Sequence, residues 1–156
     1  MFKVRKVLCP VELDESSLAA LEYALDIAER NRAMLYVVHV ARTPAADMDV
    51  PVAIGPHPHW EREEQAWLEK AAGERLDSRV AYQVIVRGGI AETVILEVAA
   101  ELDVDLIVMA THGRTGLAHL ILGSVAETVV REATCPVLTV KPKSVDERDL
   151  AGAQKP

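Results

Sequence analysis

The stretch from Asp105 to Lys141 constrains the fold more than any other part of the chain. It begins with Asp105 to Ala110, an apolar run that shows no polar alternation. Such a run is typical of a parallel strand covered on both faces. A polar loop with glycines follows, then a helix that starts near Gly123, and then the apolar strand Val137 to Val140. Strands that alternate with helices in this way predict a parallel α/β sheet.

The turn Gly123-Ser124 opens the predicted helix. We predict that Ser124 is the N-cap and that Glu127, at the third helical position, completes a capping box. A helix N-terminus offers unpaired N–H groups and a partial positive charge, so it favours anions such as phosphate. Glycines, here Gly113 and Gly123, let the backbone approach such a ligand closely. The loop therefore predicts a site for a phosphate-bearing small molecule.

Hydrophobic periodicity places the remaining elements. The predicted strands are Val4 to Val11, Met34 to Val40 and Val80 to Val86, and the predicted helices run from about Asp14 to Arg30, from His59 to about Leu76 and over Ile90 to Leu102. The sequence Arg87-Gly88-Gly89 predicts a turn. Residues 42–58 have no clean period and predict a long loop. We expect one domain over residues 1–142 and a polar, flexible tail over 143–156.

Composition limits the classes of partner. The formal net charge of -7 argues against nucleic acid or an anionic membrane held by bulk attraction. No apolar run reaches membrane-spanning length, and no signal-peptide pattern precedes the first strand. The 2 cysteines, Cys9 and Cys135, have no framework or metal spacing, and we interpret them as inert thiols. These features together predict a cytoplasmic protein.

The glycine segment resembles that of the universal stress protein family. Nucleotide-binding members of that family carry Gly, two residues, Gly, nine residues, Gly and then Ser or Thr. The matching positions here are Ala110, Gly113, Gly123 and Ser124, with both spacings kept. Alanine replaces the first glycine, which adds one methyl group. The resemblance covers most of residues 2–141 and is more specific for the family than for nucleotide binding, since some members bind none.

The resemblance implies a Rossmann-like open sheet of five parallel strands, in the order 3-2-1-4-5, with helices on both faces. The strand order then reverses between strands one and four. Ligands of such sheets bind beyond the carboxyl ends of the strands at this reversal. Glu12 and the residues from Ala110 to Gly113 follow these two strands. The general rule and the glycine segment therefore indicate the same place.

The family pattern and the loop chemistry together select the candidate binding residues. These are Pro10, Val11, Glu12, Val40, Met109, Ala110, Gly113, Arg114, Gly123, Ser124, Val125 and Ala126. Each has an alternative role that needs no ligand. The glycines can simply form turns, and Ser124 can act only as a cap. Glu12, where the family usually has Asp, can be a solvated loop acid, Arg114 can be a solvated cation, and Val40 and Met109 can be core residues.

The resemblance implies a stress-linked regulatory protein that binds ATP or a related adenine nucleotide (ADP or AMP). Mg²⁺ is expected on the phosphates, whose charge it neutralises. The chain has no Walker lysine and no evident base for an attacking water, so any hydrolysis should be slow or incidental. We predict no dedicated enzyme. A hydrolase or transferase is a further alternative, which product formation lost with a site mutation would support.

The resemblance also implies a homodimer that pairs through Val137 to Val140. This apolar strand would otherwise be a free sheet edge with unpaired backbone groups. A dimeric interaction module that binds no nucleotide is therefore the main alternative function, and Ala110 and Glu12 favour it. Histidines add no catalytic or metal site to the prediction, because His112 lacks partners at a recognisable spacing and the pair His57 and His59 supplies only two ligands.

Overall fold

The computed structural model of the 156-residue chain describes residues 3–12, 15–41, 58–76, 79–111 and 122–141. Several predictions from sequence lie outside these residues. They are the loop over residues 42–57, the tail over 143–156, His57, His112, Gly113 and Arg114. The predicted domain boundary at residue 142 also stays a prediction.

Five parallel strands form one sheet. They are β1 (Lys6–Pro10), β2 (Met34–Ala41), β3 (Tyr82–Gly88), β4 (Leu106–Ala110) and β5 (Val137–Val140). Their order is β3-β2-β1-β4-β5, and every neighbouring pair is parallel. The predicted order 3-2-1-4-5 is thus confirmed. The reversal of strand order lies between β1 and β4, where a doubly wound sheet places its ligand crevice.

Within the described residues, four helices connect these strands and cover both faces of the sheet. They are α1 (Glu15–Asn31), α2 (Pro58–Leu76), α3 (Ala91–Leu102) and α4 (Ser124–Glu132). Residues of α1 and α2 pack in one buried cluster, and residues of α3 and α4 pack in the other. Helix α2 begins one residue before the predicted His59. Proline suits a first helical position, because its missing N–H would have no partner there.

Alternate side chains of each strand enter the two clusters, as the pleat of a strand requires. In β1, Val7 and Cys9 pack on the α1–α2 face, and Leu8 packs on the α3–α4 face. In β4, Val108 faces α1–α2, and Ile107 faces α3–α4. All five side chains are fully buried. Burial on both faces explains why these strands read as continuous apolar runs.

Two boundaries near the end of β3 differ from the sequence prediction. The strand continues through Arg87 and Gly88, which pair with Val40 and Ala41, so the turn predicted over Arg87 and Gly88 is wrong. Pairing with the neighbouring strand extends β3 beyond the point where its own side chains indicate a strand. Ile90 precedes α3 as its N-cap and is 57% exposed, so the helix predicted over Ile90 to Leu102 begins one residue later, at Ala91.

The turn from β3 to α3 depends on Gly89. Its φ is +143°, a conformation that residues with a Cβ rarely adopt. A Cβ at this position would lie 2.9 Å from Cγ2 of Val94 on α3. The N–H of Gly89 donates to the carbonyl of Ala41 at 3.3 Å, which holds the turn against the end of β2. This turn therefore forms part of the carboxyl edge of the sheet.

Replacing Gly89 with alanine should lower the free energy of unfolding by about 1–3 kcal/mol, because the new side chain combines backbone strain with a steric clash. Gly73→Ala is the matched control. Gly73 lies inside α2, and its added Cβ would meet Tyr82 Oη at an ordinary 3.6 Å. This control should stabilise the protein by about 0.5–1 kcal/mol. Urea unfolding of both variants checks the contrast, and equal effects would contradict it.

Candidate functional site

A crevice begins where β1 and β4 separate. The two strands pair only through Val7 and Leu8 on β1 with Leu106 and Ile107 on β4. On its other side, β1 stays paired with β2 as far as Pro10. Proline has no N–H to donate, so it cannot continue a hydrogen-bond ladder as a donor. The ladder between β1 and β4 therefore ends at Leu8, at the point where the strand order reverses.

The amino ends of the same two strands are held together by Asp105. Its Oδ2 accepts the N–H groups of Arg5 at 2.7 Å and Lys6 at 2.9 Å. The Asp105 N–H donates back to the Lys6 carbonyl at 3.0 Å, and Lys6 Nζ donates to the Leu102 carbonyl at 2.7 Å. Hydrogen bonds to an ionised group are stronger than neutral ones. Strands β1 and β4 are thus closed at one end and open at the other.

The end of β1 is attached to β2 rather than to β4. The Val11 N–H donates to the Val38 carbonyl at 2.8 Å, and Nδ1 of His39 lies 2.8 Å from the Val11 carbonyl oxygen. Val11 is buried, whereas Pro10 and Glu12 are half-buried at the carboxyl edge. The three candidates from β1 therefore line the β2 side of the crevice. His39 is a site-forming residue that sequence reasoning missed.

Helix α4 begins on the β4 side of the crevice, and its cap differs from the prediction. Gly123, not Ser124, is the N-cap, and no side chain caps the helix, so the predicted capping box is wrong. The Glu127 N–H donates to the Gly123 carbonyl at 2.8 Å as the first helical hydrogen bond. Gly123 has φ -70° and ψ 159°, an extended conformation open to most residues. Its backbone geometry alone does not require glycine.

The first turn of α4 supplies donors at this edge. The helix itself provides no acceptor for the N–H groups of Ser124, Val125 and Ala126, because these precede its first intrahelical bond. The Gly123 N–H, in contrast, donates to the Thr111 carbonyl at 2.7 Å. This bond fixes the start of α4 next to the end of β4. Three donors and the positive end of the helix dipole therefore suit an anion.

Side chains at the ends of β2 and β4 divide between the two faces. Val40 and the buried Met109 pack with the α3–α4 cluster, on the same face as α4. Ala110 packs against the α1–α2 cluster on the opposite face. Its methyl group therefore projects away from the α4 face of the sheet. The replacement of glycine by Ala110 leaves the space on the α4 side unchanged.

Arg87 lies at the same edge of the sheet and is engaged with α3. Its guanidinium donates to both carboxylate oxygens of Glu101, at 3.0 and 2.6 Å. This hydrogen bond raises the pKa of Arg87 and lowers the pKa of Glu101. A guanidinium that donates to both oxygens of this carboxylate is oriented toward α3. Arg87 is therefore not directed at the crevice.

A separate groove of about 320 Å³ lies between α1 and the end of α2. It has an apolar wall and a charged rim with both signs. Its lining residues are Leu18, Leu21, Glu22, Leu25, Asp26, Arg75, Leu76 and Arg79. Leu76 and Arg79 precede β3, so this groove lies away from the carboxyl edge. The candidate site is an open edge rather than this groove.

The described residues offer little acid–base, metal or thiol chemistry. Burial raises the pKa of the Cys9 thiol to about 12, and desolvation also raises the pKa of half-buried Cys135. Both thiols are thus poor nucleophiles near neutral pH. Over the described ranges, no cluster of three or more His, Cys, Asp or Glu side chains could hold a metal ion. Nor does any helix in these ranges combine the length and apolar character needed to cross a membrane.

The structure brings together ten of the twelve candidate residues at one edge. Pro10, Val11, Glu12 and Val40 lie on the β1–β2 side, and Met109, Ala110 and Gly123 to Ala126 lie on the β4–α4 side. An open parallel sheet with a helix N-terminus at its reversal of strand order defines the doubly wound α/β class. Proteins of this class bind their ligands in this crevice.

The chain belongs to the universal stress protein family, whose model matches residues 3–141. It is 33% identical over 144 residues to the universal stress protein MJ0531 of Methanocaldococcus jannaschii, a match that covers 88% of this chain and 82% of that protein. The predicted family is thus confirmed.

Solved structures show the same fold. The universal stress protein UspA from Lactobacillus plantarum superposes with a TM-score of 0.70 at 23% identity, over 88% of this chain and 98% of that one. A universal stress protein in complex with cAMP gives a TM-score of 0.66 at 22% identity, over 89% of this chain and 98% of that one. At these identities the likeness establishes the fold.

Replacing Asp105 with alanine should lower the free energy of unfolding by about 1.5–3 kcal/mol, because two backbone N–H groups lose a charged acceptor. Asp105→Asn is the matched control. It keeps an oxygen in the same place without the charge, so its loss should be smaller. Urea unfolding monitored by circular dichroism measures both values, and a loss below about 0.5 kcal/mol for the Ala variant would show that the carboxylate does not hold these strands.

Proposed function

We propose that this protein binds ATP or a related adenine nucleotide in the crevice between β1 and β4 and acts as a stress-linked regulator. One observation carries the proposal. Two strands separate at the reversal of strand order, and the Gly123–Thr111 hydrogen bond fixes a helix N-terminus beside the opening. The related universal stress protein in complex with cAMP supports an adenine nucleotide as the ligand.

Each side of the crevice would hold a different part of the nucleotide. The phosphates would accept hydrogen bonds from the first-turn N–H groups of α4 and from the exposed Ser124 hydroxyl. Gly113 and Arg114 would add contacts from the glycine loop. Glu12 would accept from a ribose hydroxyl or the adenine amine, and the Val40 backbone would bond to the base. Pro10, Val11, Met109 and Ala110 would shape the walls.

Mg²⁺ would bind through the phosphates and water rather than through a protein cage. This ion prefers phosphate oxygens with a few carboxylates and keeps several waters. The donors at the start of α4 are N–H groups, which suit the phosphates and do not ligate a cation. The ion would reduce the negative charge that a nucleotide brings to a chain of net charge -7.

The same arrangement supports a binding protein rather than a dedicated enzyme. Backbone donors position phosphates, but phosphoryl transfer also requires a group that orients the nucleophile. ATP hydrolysis, if any, would therefore be slow. Both thiols are free, which fits the reducing cytoplasm that we propose as its location.

A dimeric interaction module without nucleotide is the second candidate. The exposed edge of β5, where Leu138 is 38% exposed, favours it. Such an edge carries unpaired backbone groups that a second copy can cover. Dimer formation through β5 is compatible with either function. Only ligand binding separates the two.

ATP should bind more tightly than ADP, AMP and adenosine in that order, because most of the proposed donors address phosphate. Ser124→Ala should lower ATP affinity about 10- to 100-fold if the hydroxyl contacts a charged phosphate. Because Ser124 caps nothing, stability should change by less than about 0.5 kcal/mol. Ser124→Thr keeps the hydroxyl and is the control. Isothermal titration gives these affinities, and equal binding of all four ligands would contradict the phosphate site.

The outer edge of β5 can be identified from its inner hydrogen bonds. Ile107 and Thr111 donate to the carbonyls of Pro136 and Val140, each at 3.0 Å. Backbone groups alternate direction along a strand, so the N–H of Thr139 faces outward. A proline at this position removes an outward donor and leaves the ladder with β4 intact.

The wild-type protein should therefore be a dimer in light scattering at micromolar concentration, and Thr139→Pro should convert it to a folded monomer. Leu138→Pro is the contrasting variant. The Leu138 N–H faces β4 by the same alternation, so this change should lower the unfolding temperature as well. A monomeric wild type, or a Thr139→Pro variant that stays dimeric, would show that β5 is not the interface.

A further inference from the structure

His39 ends the ladder between β1 and β2 in an unusual way. The half-buried imidazole places Nδ1 2.8 Å from the carbonyl oxygen of Val11. A carbonyl oxygen can only accept a hydrogen bond, so Nδ1 carries the proton and donates it. The bond joins residues 28 positions apart, across the two strands that form one side of the crevice. A side chain thus makes a contact that backbone groups make elsewhere in the sheet.

The alternation of β2 identifies the donor that His39 replaces. The Leu35 N–H donates to Ala81 before β3, and the Met34 N–H donates to Arg5 before β1. Even-numbered N–H groups of β2 therefore face β1, and the N–H of Val40 is one of them. In a regular parallel ladder, the Val11 N–H that donates to Val38 would be followed by Val40 donating to Val11.

That last bond is absent from the part of the chain that the structure describes. The register of β1 and β2 ends at Pro10 and Val38. The Val11 N–H still donates to Val38 at 2.8 Å, but the Val11 carbonyl accepts from the imidazole of His39 instead of from Val40. No described carbonyl of β1 accepts the N–H of Val40. The Val11 carbonyl thus accepts from His39 at the place where a regular ladder would have the Val40 N–H as donor.

We propose that His39 is a positioning residue of the crevice, which keeps the Val40 N–H available to an acceptor atom on the ligand. The acceptor is of the kind that a ring nitrogen of a purine base presents at its edge. This inference rests on the proposed nucleotide site. The His39 imidazole donates to the Val11 carbonyl, and the Val40 N–H donates to the base.

Amide hydrogen exchange measured by NMR tests the hydrogen bond without any nucleotide. The Val40 amide should exchange rapidly in the wild type. In His39→Leu, the Val11 carbonyl becomes available, Val40 pairs with it, and the Val40 exchange rate should fall about tenfold or more. His39→Asn should behave as the wild type, because its amide nitrogen stands where Nδ1 stands. Equal Val40 exchange in the wild type and the Leu variant would overturn the inference.

The wild-type protein alone provides a second measurement, should the Leu variant fail to fold. A nitrogen–proton correlation spectrum of the imidazole should show a proton on Nδ1 of His39 at neutral pH. A ring protonated only on Nε2 cannot donate to Val11, so that result would overturn the inference as well.

Ligand titration then tests the role in binding. His39→Leu should lower ATP affinity about fivefold to tenfold, the value of one hydrogen bond, and leave the affinity for inorganic tripolyphosphate unchanged. His39→Asn should restore ATP affinity. If wild type and Leu variant bind ATP equally, the inference fails and the proposed function stands. If the wild type binds no nucleotide, the proposed function fails together with the binding role of His39, and the exchange rates still decide on the hydrogen bond.

Discussion

The short ladder between β1 and β4 is the feature on which the candidate site depends. These strands share two register pairs, whereas β2 and β3 share seven. The carboxylate of Asp105 closes one end of the contact, and Pro10 cannot extend the other as a donor. A sheet of full-length ladders would have no opening at this place. The crevice is therefore a consequence of the early end of pairing between β1 and β4. The helices determine which groups face it.

Backbone groups provide most of the chemistry at this opening. The first turn of α4 offers N–H donors, while Arg87 is engaged with Glu101. Such donors act through local dipoles, so they can attract an anion although the chain as a whole carries a net charge of -7. Backbone donors also tolerate side-chain substitution. Ala110 and Glu12 can therefore depart from the family pattern without removing these backbone donors.

The sequence predicted correctly those elements whose pattern lies within a single segment. The buried strand β4 is a continuous apolar run, and the strand order followed from a family resemblance carried by spaced glycines. The predictions were wrong where a feature depends on a contact with a residue elsewhere in the chain. The N-cap is Gly123 rather than Ser124 because the Gly123 N–H donates to the Thr111 carbonyl. Strand β3 extends to Gly88 because Gly88 pairs with Ala41. His39 went unnoticed for the same reason, since its acceptor, Val11, is distant in sequence.

The peptide groups around Thr111 connect the edge strand β5 to the start of α4. The Thr111 N–H donates to Val140 on the edge strand, and its carbonyl accepts from Gly123 at the start of α4. The edge strand β5 and the start of α4 are therefore linked through one residue and two hydrogen bonds. A shift of α4 relative to β5 must stretch one of these bonds or rotate this residue. Thr111 is therefore the residue through which the proposed binding site and the proposed dimer edge are connected.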